Sequence, residues 1–190
     1  GYTIETSIQP EYQDELQTIL DETLEFDSAT GEDGVYNLQG AITVVDNHTN
    51  KVVGIIGRRI QEGLNSVNYN RAYQFTRQPG SVIKPLIVYA PALEIGYTAD
   101  SILREVDVQE AYEAYEDGDA FSQLQGSRVT LRESVEDSLN GAALYLYEQI
   151  TPERGLSYPL EMGFTNIVPN DYYLSSALGG LTYGTNTVEM

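Results

Sequence analysis

Residues 77–96 read RQPGSVIKPLIVYAPALEIG, an apolar stretch that begins directly after a Pro-Gly pair. Its length and apolar character predict a buried helix over residues 81–96, kinked or ended near Pro91 because proline disrupts a helix interior. Pro79 and Gly80 turn the chain sharply into this helix. A further proline near the first turn costs little, because the N–H that it lacks would have no partner there.

The predicted helix places a hydroxyl and an amine on one face. The chain has two lysines, Lys51 and Lys84, and Lys84 stands three residues after Ser81. This spacing brings the two side chains within reach of each other on a helix. A buried lysine loses part of its preference for the charged form and can act as a base towards a serine near neutral pH. For the tetrapeptide S-x-x-K alone, a surface serine with a snorkelling lysine on an ordinary core helix is the simpler interpretation.

Around this helix the sequence predicts both helices and strands. Period-2 alternation indicates a short strand over residues 2–8, followed by a helix. Residues 41–46 and 51–56 are β-rich and are separated by the turn residues NHTN, which predicts a hairpin. A T-x-x-E capping box opens residues 130–150, which we predict to form a single helix.

The composition excludes several classes of function. The chain has 29 Asp and Glu against 10 Lys and Arg, which opposes binding to nucleic acid or anionic lipid. It has no Cys, and its one His, His48, falls in the predicted hairpin turn, so neither a Ser-His-Asp triad nor a thiolate metal site is expected. The acidic residues 104–119 fit a solvated segment better than a calcium loop, which needs regularly spaced carboxylates. At 190 residues, one domain is the default.

Several stretches together resemble the transpeptidase domain of class A (bifunctional) penicillin-binding proteins, whose motifs are S-x-x-K, S-x-N and K-T-G. Residues 39–57 are similar to the hairpin before the nucleophile in that family, and residues 68–97 to the segment around it. Residues 130–150 are similar to the helix of the second motif, residues 175–190 to the stretch beyond it, and residues 2–13 to the junction before the domain. The resemblance implies an α/β (α+β) fold of the penicillin-binding, serine β-lactamase-like type, with helices packed on a partial antiparallel sheet.

The second motif has to be assigned, because two S-x-N tripeptides occur, Ser66-Val67-Asn68 and Ser138-Leu139-Asn140. The family places this motif after the nucleophile and on a helix, which only Ser138 and Asn140 satisfy. Glu136 also begins an E-x-x-L-N pattern like that of the deacylating glutamate in class A β-lactamases. Those enzymes have a separate S-D-N before that glutamate, and none occurs here, so the order of motifs favours a penicillin-binding protein.

The resemblance implies a peptidoglycan D,D-transpeptidase that cross-links stem peptides and is inhibited by β-lactam antibiotics. Ser81 would attack the D-Ala-D-Ala end of a stem peptide while Lys84 accepts its proton, and an amine of a second stem peptide would take the acyl group. Ser138 would relay a proton to the leaving amine, and Asn140 would hydrogen-bond the substrate backbone. No metal or cofactor is expected. The parent protein would be membrane-anchored and extracytoplasmic, with residues 1–190 soluble by themselves.

Two alternatives stay open because these 190 residues contain no K-T-G motif. We expect residues 1–190 to be a partial transpeptidase domain that lacks the K-T-G strand and, alone, acylates slowly or not at all. We also expect its hairpin to have an unsatisfied edge that pairs with another chain or with a separate piece. One alternative is a non-catalytic penicillin-binding-like remnant or interaction module. The other is a D,D-carboxypeptidase or β-lactamase, which would deacylate quickly with water.

Overall fold

A computed structural model describes residues 1–61 and 69–190, so the tripeptide at residues 66–68 lies outside the described residues. The chain divides into two compact units, Gly1–Thr76 with Asn186–Met190, and Arg77–Thr185. The helices are α1 (Pro10–Thr23), α2 (Arg71–Gln74), α3 (Ala90–Glu94), α4 (Val108–Asp117), α5 (Leu131–Glu136), α6 (Asn140–Ile150) and α7 (Pro152–Glu161). The strands are β1 (Ile42–Asp46), β2 (Lys51–Ile56), β3 (Ile102–Val106) and β4 (Gly126–Thr130). They form two antiparallel sheets of two strands each, β1–β2 and β3–β4, so the predicted α+β class is confirmed.

In the first unit, α1 and the β1–β2 hairpin form where the sequence predicts them. The two strands pair antiparallel, with a register shift between Val44 and Val45. The turn that joins them includes Asn50 at a φ of 55°, a left-handed conformation that asparagine tolerates better than most residues. His48 is an exposed residue of this turn, and its N–H donates to the Asp46 carboxylate (2.9 Å).

The predicted strand over residues 2–8 is wrong. This segment runs beside β2 without forming a ladder: the Ser7 hydroxyl donates to the Val52 carbonyl (2.6 Å) and the Gln9 N–H to the Val53 carbonyl (2.9 Å). Farther along, the Gln13 side-chain amide accepts from the Ile55 N–H and donates to the Ile55 carbonyl (3.0 Å), as a partner strand would. The outer edge of β2 is therefore bonded by a side chain of α1 as well as by the segment before it.

The core of the second unit is built around α6, which is buried on nearly all sides. The helical segment that follows Ser81 packs against it, together with β3 and the stretch after α7. Because the surrounding elements cover most of α6, its sequence is apolar over most of its circumference rather than along one stripe, with Glu148 and Gln149 among its few polar residues. Large side chains that are fully buried here include Ile83, Ile87, Leu103, Phe121, Leu144, Leu146, Tyr147, Leu156 and Leu174.

The segment after Gly80 is helical, but it is not a uniform α-helix and it does not end at Pro91. A 3-10 turn (Gly80–Ile83) leads through Lys84 into a π-helical turn (Pro85–Tyr89), and α3 then continues past Pro91 to Glu94. In the π turn an N–H bonds five residues back, as the Ala90 N–H does to the Pro85 carbonyl. This wider turn changes the hydrogen-bond register just before Pro91, whose missing N–H would interrupt a regular α-helix.

The prediction of one helix over residues 130–150 is also wrong. The capping box is present, since the Thr130 hydroxyl accepts from the Glu133 N–H (3.1 Å) and the Glu133 carboxylate accepts from the Thr130 N–H (2.7 Å). However, α5 ends at Glu136 and α6 begins only at Asn140. Ser138 lies between them at a φ of 52°, a conformation that a non-glycine residue rarely adopts. The interruption falls on the S-x-N tripeptide itself.

The acidic stretch over residues 104–119 presents most of its carboxylates to solvent, as predicted, from regular secondary structure. It completes β3 and forms α4, where the Asp107 carboxylate caps the helix by accepting from the N–H groups of Gln109 (2.9 Å) and Glu110 (3.0 Å). Ala111 and Ala114 pack into the core, while most of the acidic side chains are exposed. Within residues 1–61 and 69–190, no group of three His, Asp or Glu side chains could hold a metal ion. Over the same ranges, no helix combines the length and the apolarity needed to cross a bilayer.

Candidate active site

Ser81 lies in the 3-10 turn that opens the helical segment, and it is exposed to solvent. The preceding Gly80 has a φ of 60°, which glycine adopts without strain and which turns the chain into the helix. Gly179, at a φ of 83°, lies against this turn so closely that a Cβ there would overlap the Gly80 backbone. The SSALGG stretch at residues 175–180 therefore supports the turn that presents the Ser81 hydroxyl.

Lys84 lies one helical turn after Ser81, and its side chain points into the protein, with 1% of its surface exposed. Its ammonium donates to the Asn140 side-chain oxygen (2.7 Å) and to the Ser138 carbonyl (2.8 Å). Longer contacts join it to the Leu139 carbonyl (3.2 Å) and the Ser138 hydroxyl (3.4 Å). Among the residues that the structure describes, its hydrogen-bond partners thus all belong to the tripeptide at residues 138–140.

The interruption between α5 and α6 explains how these acceptors become available. In a continuous helix, the carbonyls of Ser138 and Leu139 would accept from N–H groups one turn later. The positive φ of Ser138 takes its own carbonyl out of that pattern, and this carbonyl accepts from the Lys84 ammonium instead. Leu139 is the N-cap residue of α6, and its carbonyl adds a longer contact with the same ammonium. The strained residue and the buried lysine are therefore two parts of one arrangement.

The charge on Lys84 is controlled by burial and by one carboxylate. Burial lowers the pKa of the Lys84 ammonium below that of an exposed lysine, and the Glu105 carboxylate on β3 raises this pKa in part. Glu105 also accepts from the N–H groups of Ala142 (2.6 Å) and Gly141 (3.2 Å) in the first turn of α6. The interpretation of residues 104–119 as a solvated segment missed Glu105. The alternation that places Leu103 and Glu105 on one face of a strand is the signal that would have found it.

The four predicted site residues differ in their exposure. Lys84 lies buried beneath the tripeptide at residues 138–140, whereas solvent reaches Ser81, Ser138 and Asn140. The expected contact between the Lys84 amine and the Ser138 hydroxyl is present at 3.4 Å. In the described part of the chain the Ser81 hydroxyl has no hydrogen-bond partner, so the expected contact between Lys84 and Ser81 is not made. The reason is that the acceptors freed at residues 138–140 hold the ammonium.

Chemically, the arrangement places an exposed hydroxyl one helical turn from a buried amine. A serine with no hydrogen-bond partner is free to meet a substrate carbonyl, and an amine whose pKa is lowered is better suited to accept a proton near neutral pH. The Asn140 side-chain oxygen is occupied by Lys84, which leaves its NH₂ group as a donor for a ligand. The site therefore combines an exposed hydroxyl, a buried amine and an amide NH₂ group beside solvent.

A family model described as the penicillin binding protein transpeptidase domain matches residues 40–186. Penicillin-binding protein 4 of Bacillus subtilis is 28% identical over 191 residues, which cover all of this chain and 28% of that protein. Penicillin-binding protein 2a of Streptococcus pneumoniae is 31% identical over 192 residues, which again cover all of this chain and 25% of that protein. The chain thus spans about a quarter of the length of these relatives.

Solved structures of penicillin-binding proteins have the same fold. The imipenem acyl-enzyme complex of penicillin-binding protein A from M. tuberculosis matches with a TM-score of 0.67 at 15% identity, over 98% of this chain and 49% of that one. The TP domain of penicillin-binding protein 3 from Burkholderia pseudomallei matches with a TM-score of 0.65 at 17% identity, over 95% of this chain and 54% of that one. These matches confirm the fold that the sequence resemblance implies.

Proposed function

The chain belongs to the family of penicillin-binding protein transpeptidase domains, and we propose that it forms the Ser81 acyl-enzyme of a peptidoglycan D,D-transpeptidase. The observation that supports this most is the buried Lys84, held beneath the S-x-N tripeptide at one helical turn from an exposed Ser81. An ordinary core helix would let the lysine snorkel to water. Here its amine is instead kept next to the residues that a substrate would meet.

In the first step the Ser81 hydroxyl attacks the carbonyl carbon of the penultimate D-Ala in a stem peptide that ends in D-Ala-D-Ala. Lys84, in its neutral form, takes the hydroxyl proton as the new C–O bond forms. The C–N bond then breaks, the terminal D-Ala leaves as an amine that takes up a proton, and the stem peptide stays on Ser81 as an ester. A β-lactam would follow the same path, with its ring amide opening instead.

Ser138 and Asn140 would act at the substrate's leaving group and backbone. The Ser138 hydroxyl lies 3.4 Å from the Lys84 amine, so a small movement would let it pass the proton from that amine to the leaving nitrogen. The NH₂ group of Asn140 is free to donate to a substrate carbonyl, because its oxygen already accepts from Lys84. In the second step an amine of a neighbouring stem peptide attacks the ester, which forms the cross-link and frees Ser81.

The four residues therefore divide the chemistry between them. Because peptidoglycan is assembled outside the cytoplasmic membrane, we also propose that this site works on the extracytoplasmic side of a membrane-anchored parent protein. No step in this scheme needs a metal or an organic cofactor. We further propose that residues 1–190 make up part of one transpeptidase domain.

The test is to measure release of D-Ala from a synthetic pentapeptide ending in D-Ala-D-Ala, with and without an added acceptor amine, on the complete gene product. A transpeptidase should transfer the acyl group to the amine, and Ser81→Ala should abolish both release and transfer. Release by water that the amine does not divert would instead identify a carboxypeptidase. An acyl-enzyme hydrolysed within seconds after reaction with penicillin would identify a β-lactamase. No release and no covalent penicillin adduct would indicate the non-catalytic alternative and refute the proposal.

A further inference from the structure

Glu105 lies on β3 and reaches across to the start of α6. Its two carboxylate oxygens accept from two successive backbone N–H groups, those of Gly141 (3.2 Å) and Ala142 (2.6 Å). These N–H groups lie in the first turn of α6, where they have no partner within the helix. A carboxylate at this position also interacts favourably with the positive end of the helix. The side chain therefore attaches α6 to β3 at the end of α6 that begins with Asn140.

A second observation shows how close this attachment is. A Cβ on Gly141 would overlap the backbone of Val106, the residue after Glu105. The first turn of α6 therefore lies directly against the end of β3, with no room for a side chain between them. Gly141 and the Glu105 carboxylate together fix how closely the first turn of α6 approaches β3 and how it is rotated about the helix axis.

The first turn of α6 in turn determines where the Lys84 acceptors lie. Asn140 is the first residue of α6, and the carbonyls of Ser138 and Leu139 come immediately before it. These groups provide all the hydrogen bonds that the Lys84 ammonium makes in the described part of the chain. A shift of the helix start by a fraction of an ångström would lengthen several of these bonds together.

We propose that Glu105 is a positioning residue for the candidate active site: it holds the first turn of α6 on β3 and thereby fixes the acceptors that orient the Lys84 amine. This inference rests on the proposed function only for its effect on acylation. The structural part concerns Lys84 itself and applies whether or not the chain reacts with a substrate. Glu105 is not expected to touch the substrate.

The charge of Glu105 has a second effect on the same lysine. Its carboxylate raises the pKa of Lys84, against the lowering by burial. Of the other ionisable groups on the elements around Lys84, Glu136 and Asp137 are exposed to solvent, and the Tyr89 hydroxyl is bonded to Ser134. Glu105→Gln keeps an oxygen that can accept from one N–H group of α6 but removes the charge. The pKa of Lys84 should therefore fall in this variant.

The chain is well suited to a direct measurement of this effect, because it has two lysines and Lys51 is exposed on the hairpin. Lysine labelled with ¹³C at the ε position gives one signal for each, and Lys51→Arg assigns them. In Glu105→Gln the titration of the Lys84 signal should move to lower pH, while that of Lys51 stays unchanged. Glu110→Gln, which removes an exposed carboxylate from α4, is the matched control and should move neither signal.

The acylation rate provides the second readout. The rate of covalent labelling by a fluorescent penicillin should rise with pH as Lys84 loses its proton, and in Glu105→Gln this rise should occur at lower pH. Its plateau should also fall, because one of the two bonds to α6 is lost. Glu105→Asp restores the charge on a shorter side chain, so it should return the pH profile towards that of the wild type and leave the plateau reduced.

The two measurements separate this inference from the proposed function. An unchanged Lys84 titration in Glu105→Gln would overturn the role of Glu105, even if the wild type labels normally. A wild type that is never labelled would count against the proposed function, while the lysine titration would still decide the role of Glu105. If Lys84 and Lys51 titrated together in a folded wild-type chain, the buried arrangement itself would be wrong.

Discussion

Lys84→Met separates the chemistry of the candidate site from its packing. Methionine fills much of the same volume with a flexible apolar chain, so the helical segment keeps its contacts with the core. What it removes is the amine that is proposed to accept the proton of Ser81. Loss of a general base typically lowers a rate by a factor of about 10²–10⁴, and we expect covalent labelling by penicillin to fall by that amount.

The effect of this substitution on stability should be small, because two opposing terms nearly cancel. The two short bonds of the ammonium, to Ser138 (2.8 Å) and Asn140 (2.7 Å), are lost. Hydrogen bonds to a charged group contribute about 1.5–3 kcal/mol each. Burying an ammonium costs several kcal/mol, and this cost disappears too. Because the lost bonds and the removed cost of burial oppose each other, the net change should be about 2 kcal/mol or less.

The assay follows fluorescent penicillin bound to the protein over time, with a thermal melt of each variant. A change of about 2 kcal/mol corresponds to a shift in melting temperature of at most about 8 °C for a protein of this size. Lys51→Met is the matched control, since Lys51 is exposed, and it should change neither the labelling rate nor the melt. A folded Lys84→Met variant that labels within threefold of the wild type would refute the role given to the lysine.

Three further predictions follow from the described contacts. Gly141→Ala should lower the free energy of unfolding in urea by about 1–3 kcal/mol, since the added Cβ would overlap the Val106 backbone. A variant as stable as the wild type would show that α6 can move away from β3. Thr130→Ala should lower it by about 1 kcal/mol through loss of the capping box, so an unchanged thermal melt would contradict the importance of that box. In the part of the chain that the structure describes, one edge of β1 pairs with no strand, and we expect the wild type to associate through this edge as its concentration rises. Val45→Lys should weaken the association in sedimentation experiments, and association of equal strength would exclude that edge.

The sequence predicted those elements whose signals are local. The β1–β2 hairpin follows from two β-rich runs around a turn, and α1 from a helix-compatible start at Pro10. The capping box at Thr130 is likewise a matter of residues three apart. In each case neighbours in the chain provide the hydrogen bonds, so the pattern alone is sufficient.

The errors arose where a distant residue satisfies the backbone. The break at Ser138 could not be predicted from helix propensity, because its carbonyl is stabilised by Lys84, which lies 54 residues earlier. The segment expected as a strand over residues 2–8 makes one side-chain bond to β2, from the Ser7 hydroxyl to the Val52 carbonyl 45 residues later, and the Gln13 side chain bonds the next stretch of β2 at Ile55. The helical segment passes Pro91 because a π turn precedes it, and no local pattern indicates such a turn.

For the site, spacing suggested Ser81 with Lys84, and the family resemblance added Ser138 and Asn140; the structure places Lys84 against the last two. Neither signal could show that the Lys84 ammonium bonds to residues 138–140 and not to the Ser81 hydroxyl. They also could not identify Glu105, since the bonds of that residue reach the backbone of α6 and leave no mark in any motif. Positioning contacts of this kind depend on the fold, whereas the proposed reacting groups belong to short motifs that can be read from residue type and order.

The measurement that tests the central claim most directly is to locate the penicillin adduct by mass spectrometry. The protein is incubated with penicillin, digested, and its peptides are compared with those of Ser81→Ala treated in the same way. The account predicts that one intact penicillin is added to the peptide that contains Ser81, and that the adduct is absent from the variant. An adduct on another residue, or labelling of Ser81→Ala at the wild-type rate, would contradict the assignment of Ser81 as the acylated nucleophile.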